Sequence, residues 1–89
     1  MIQRKDLLTY QFYKKERFTG SHSGMRYLIR REGEGDLEEF AVYVWPGPYG
    51  FDAAADEEKV RRAFPFAEAS LEEIAEYLNQ AYEKRDWRP

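Results

Sequence analysis

Two stretches in the middle of the chain, Met25–Glu32 and Leu37–Trp45, alternate apolar and polar positions with the period of two expected of half-buried strands. Between them lies Gly33-Glu-Gly-Asp36. Taking those four residues as a hairpin loop predicts that Ile29 faces Phe40, Tyr27 faces Val42 and Met25 faces Val44, all on one side of a sheet. The reverse side then carries Leu28, Ala41, Tyr43 and Trp45, with Arg30 meeting Glu39. Arg31 and Glu38 form an opposite-charge pair near the turn.

A second period appears near the C-terminus. Leu71, Ile74, Ala75, Leu78, Ala81 and Tyr82 recur at helical spacing and predict an amphipathic helix over 71–85. Ser70 and Glu73 have the spacing of a capping box at its start. The helix stripe is expected to bury against the Tyr27/Ile29/Phe40/Val42 face. The fold class that follows is α+β, a small antiparallel sheet built on the 25–32/37–45 hairpin and packed by the C-terminal helix, in a single domain over 1–89.

The remaining segments give weaker patterns. Asp6 before Leu7 predicts a capped N-terminal turn, and Tyr10–Phe18 reads as extended chain. Gly20–Gly24 reads as a short polar loop and Trp45–Gly50, with two prolines and two glycines, as a turn. Phe51 is expected to open a short third strand. Asp56 is expected to start a helix that fades before Phe64-Pro65.

Composition narrows the class. The 89 residues are 43% hydrophobic and 35% charged, which suits a globular chain better than a disordered one. There is no Cys, which excludes disulfides, thiol catalysis and Cys-ligated zinc. His22 is the only histidine, so no His cluster can hold a metal. The longest apolar run, Phe40–Trp45, is far short of the roughly 20 residues of a membrane helix. No signal-like segment opens the chain, so no membrane association and a cytoplasmic location are the expectation. No cofactor, metal site or catalytic residue is expected either.

Charge is unevenly distributed. Residues 1–31 carry a net charge of +6 and residues 32–89 one of −9, giving −3 overall. Two binding functions follow. The first is protein association, with a partner protein or as a homodimer, through the aromatic residues Tyr43, Trp45, Tyr49 and Trp87. The alternative is nucleic-acid or anion binding by the basic N-terminal third. Its candidate residues are Lys14, Lys15, Arg17, Ser21, His22 and Arg26, interleaved with Tyr10, Phe12, Tyr13, Phe18 and Tyr27.

One motif points elsewhere. Arg30-Arg-Glu-Gly33-Glu-Gly35 matches R-x-x-G-x-G and resembles the acyl-CoA pyrophosphate loop of GNAT-type N-acetyltransferases. That resemblance implies acyl-CoA binding and acetyl transfer, the most distant of the three functions. In that family the loop leads into a helix, whereas here the following residues read as a strand. Glu34 and Asp36 would also repel a pyrophosphate. The whole chain, especially Phe12–Tyr27, resembles small uncharacterised bacterial proteins of about this length, some labelled GNAT-like acetyltransferases; the resemblance implies no particular activity.

Overall fold

The computed structural model describes residues 2–7, 9–33, 35–47 and 50–84. Four strands form one antiparallel meander in chain order: β1 (Phe18–His22), β2 (Met25–Glu32), β3 (Glu39–Pro46) and β4 (Val60–Pro65). A single helical turn, α1 (Tyr10–Tyr13), precedes the sheet and the longer α2 (Ser70–Glu83) follows it. This is an α+β architecture.

The central hairpin forms with the expected faces but in a different register. Tyr27 lies opposite Val44, Ile29 opposite Val42, and Arg31 opposite Phe40. Each partner is two residues further along β3 than the four-residue loop predicts. A shift of two preserves side-chain parity, so every apolar residue stays on its face. The loop is longer because Gly35–Leu37 forms a 3-10 turn before β3 begins. Gly33 sits at φ +90 where a Cβ would collide with the Leu37 carbonyl. Arg30 consequently faces Ala41 instead of Glu39, while Arg31 and Glu38 do pair, at 3.5 Å.

The α2 stripe is placed as its spacing requires. Leu71, Ile74, Ala75 and Leu78 are buried with Met25, Tyr27, Ile29, Phe40, Val42, Val44 and Phe64 in one cluster, and Ala81 and Tyr82 pack on its margin. The capping box does not form. Ala69 occupies the N-cap position and Ser70, buried, is the first helical residue. Arg85, the expected helix end, lies outside the described residues.

Five further segments depart from expectation. Tyr10–Tyr13 is a helical turn, not extended chain. The turn brings Tyr10 and Tyr13 to Phe40, with ring centroids 6.3 and 5.4 Å away. The buried Tyr13 hydroxyl donates to the Leu7 carbonyl. Burial, with Tyr27 nearby, pushes that phenol well above its usual range. Residues 20–22 belong to β1, and the loop shrinks to Ser23-Gly24, both at positive φ, as a two-residue hairpin turn requires. Phe51 lies in a turn and begins no strand, and Asp56–Glu58 is only a 3-10 turn before β4. In the 3-10 turn Arg4–Leu7 that opens the described chain, the Asp6 carboxylate accepts from the Gln3 amide at 3.0 Å, so Asp6 caps from within the turn and not ahead of it.

The reverse face of the sheet is covered. Leu28, Trp45 and Ala54 form a second buried cluster, with Tyr43 and Phe51 packed against it. The turn after β3 therefore folds back over the sheet. No helix among the described residues is long and apolar enough to cross a membrane.

Candidate functional site

The margin of the sheet beside β1 collects the basic residues. β1 has five residues and β2 eight, with Phe18 paired to Ile29, so Arg30 and Arg31 run on past the end of β1. The chain between α1 and β1 crosses this gap. Lys14, Lys15, Glu16 and Arg17 there meet Arg30 and Arg31 around a concavity of about 380 Å³ floored by Tyr13. A second groove of about 360 Å³ adjoins it on the reverse face. Strand alternation sends Thr19 and Ser21 to that side, where they meet Arg26, Trp45, Phe51 and Asp52. Arg17 lines both grooves. Gly47 leaves room for Arg26, since a Cβ there would sit 3.2 Å from Nε.

Not all of these cations are available. The Arg30 Nε donates to Glu32 at 2.7 Å and its NH2 group donates to the Tyr43 hydroxyl at 3.3 Å. Its guanidinium also lies over the Tyr43 and Phe51 rings. Glu32 further accepts from the Tyr43 hydroxyl at 2.7 Å and from Arg61 at 2.8 Å. Burial alone would raise the Glu32 pKa, but the donors Tyr43, Arg61 and Arg30 outweigh it and hold the carboxyl at about 2. Arg61 also binds Glu39, and these two carboxylates raise its pKa. This cluster is an internal tie across β2, β3 and β4. Arg31 is held by Glu38, and the Lys14 ammonium lies 5.1 Å from the Tyr10 ring centroid. The side chains of Lys15, Arg17 and Arg26 have no ion pair or hydrogen bond among the described residues. Of the cations lining the two grooves, these three have neither a charged partner nor a ring contact among the described residues.

The residues singled out from the sequence divide accordingly. Lys14, Lys15, Arg17, Ser21 and Arg26 come together on this margin. His22 does not: it points to the helix side, half-buried, with its ring 4.6 Å from that of Tyr82. The aromatics among the basic residues are not a stacking surface. Tyr13 and Tyr27 are buried, and Tyr10, Phe12 and Phe18 pack on the core cluster. Trp45 is 2% exposed, so it offers no face to a protein partner, and the Tyr43 hydroxyl is engaged within the network. Tyr49 and Trp87 lie outside the described residues. Phe51 and Asp52 were not marked in the sequence, because nothing local shows that the turn carrying them returns to the sheet.

The R-x-x-G-x-G segment joins two paired strands through a 3-10 turn, without the α-helix on which a pyrophosphate would rest. Among the described residues, no group of three or more His, Cys, Asp and Glu is placed to hold a metal ion. No family model matches the chain, and no curated protein or solved structure matches it.

Proposed function

We propose that the protein binds the phosphate backbone of a nucleic acid along the β1 margin. The observation that supports this is Arg17 bridging two adjoining grooves that also hold Lys15 and Arg26, none of the three side chains having an ion pair or hydrogen bond among the described residues. Two cationic grooves in series suit successive phosphates better than one compact anion. The overall acidity does not oppose it, because most acidic residues follow residue 31 and a local patch sets the field a ligand meets. With the aromatics in the core, recognition rests on phosphates and not on stacked bases.

Fluorescence anisotropy of a labelled single-stranded oligonucleotide tests the reading. Binding is expected to weaken with salt at a log–log slope of about −2 to −3, for three to four phosphates neutralised. Arg17→Glu/Arg26→Glu is expected to abolish it, while Lys84→Glu, at the end of α2, leaves it intact. Salt-independent binding, or tighter binding of inorganic phosphate than of the oligonucleotide, would overturn the proposal.

A second reading, association of the chain with another copy of itself, is supported by a separate observation. β4 stands at the opposite edge of the sheet and, among the described residues, pairs only with β3.

A further inference from the structure

The β4 edge differs from a well-guarded sheet edge. Exposed edge strands are usually protected by charges standing at the rim, yet here both arginines lie down along the faces. Arg61 turns to the reverse face and binds Glu32 and Glu39. Arg62 turns to the helix side and lies over the Phe64 and Tyr77 rings, 5.2 and 5.1 Å from their centroids. Between them and Phe64 stand the exposed methyl group of Ala63 and a backbone whose outward amides and carbonyls meet no strand among the described residues. Val60, at the strand start, is 50% exposed.

Beside this edge, a channel runs between β4 and α2 as two adjoining hollows of about 410 and 350 Å³. Its charge is polarised. Glu73 and Glu76 lie at the end near Phe64, and Lys84 lies at the end near Val60. An antiparallel copy would set the acidic end of each channel against the basic end of the other. The occupant with that complementarity is the chain itself.

We infer that β4 pairs with β4 of a second copy about a twofold axis through Ala63, making a continuous eight-stranded sheet. This inference rests on the self-association reading and assigns its surface. The register follows from geometry. Directly opposed residues in an antiparallel pair share a face, so a twofold axis must pass through one residue and its own copy. An axis through Arg62 would set two like charges opposite each other, which is unfavourable. An axis through Phe64 leaves only a three-residue overlap with the end of the strand. The axis through Ala63 opposes two methyl groups, sets Arg62 against Phe64 of the second copy, and places Arg61 opposite Pro65. It also puts the two β1 margins at the far ends of the joined sheet, leaving both unobstructed.

Sedimentation and oxidative cross-linking test the inference. The wild-type protein is expected to dimerise reversibly with concentration. Ala63→Lys, an exposed substitution, is expected to weaken the dimer by about 100-fold through like charges at the axis, with an unchanged circular dichroism spectrum. Because the chain has no Cys, Ala63→Cys supplies a single thiol. It is expected to form a disulfide dimer under mild oxidation, whereas Ser21→Cys does not. A monomer up to millimolar concentration would overturn both the inference and the association reading. A dimer indifferent to Ala63→Lys and not captured by Ala63→Cys would overturn the β4 register while leaving self-association in place.

Discussion

Glu32→Gln removes the one carboxylate that Tyr43, Arg30 and Arg61 share. The carboxyl is held at about 2 against an ordinary 4.5. At about 1.4 kcal/mol per tenfold change in proton affinity, that difference sets a ceiling of about 3 kcal/mol on its contribution to stability. The Glu32 side chain remains 25% exposed and glutamine keeps one acceptor oxygen. Solvent screening and the surviving hydrogen bond reduce the expected loss to about 1–2 kcal/mol. The sign with pH follows from the lowered value. The stabilisation is complete above the unfolded value of 4.5 and disappears as pH falls through about 2. Urea unfolding of wild type and Glu32→Gln, followed by circular dichroism, is expected to show the gap at neutral pH and its closure near pH 2. A gap of equal size at both pH values, or none at neutral pH, would refute the electrostatic account of the network.

Two further substitutions probe the scaffold. Gly33→Ala combines φ +90 with a collision against the Leu37 carbonyl and is expected to cost about 2–3 kcal/mol. Gly35→Ala, with open space around its Cβ position, is expected to cost about 1 kcal/mol, and the two urea midpoints should separate accordingly. Asn79 receives the Ile2 amide at 2.9 Å and donates to the Ile2 carbonyl at 2.7 Å, fastening the N-terminal segment to α2. Asn79→Ala is expected to cost about 1–3 kcal/mol and to speed hydrogen exchange at Ile2; unchanged exchange there would contradict the fastening role.

What could be read from the sequence was what depends on periodicity. The α2 stripe and the faces of the central hairpin are local patterns, and both are realised. The register was not legible, because a slip of two residues keeps every side chain on its face, and only the 3-10 turn at Gly35–Leu37 sets the loop length. α1 escaped because a single turn carries too few residues to show a period; its packing on Phe40 decides it. β4 escaped because Arg61, Arg62 and Ala63 are exposed, which blurs the alternation. Ser70 shows the limit of motif spacing, since the chain turns one residue early and leaves Ala69 at the cap. The candidate site was legible as composition only. Had 18–22 been read as a strand, parity alone would have separated His22 from Ser21. The return of Phe51 and Asp52 over Trp45 is a long-range contact without a local signal.

The most direct measurement is an amide chemical-shift titration of the labelled protein with a short single-stranded oligonucleotide. Phosphate binding at the β1 margin predicts shifts at Lys15, Arg17, Thr19, Ser21 and Arg26, with the amides of α2 unmoved. Shifts centred on α2 or β4, or none at any ratio, would contradict it.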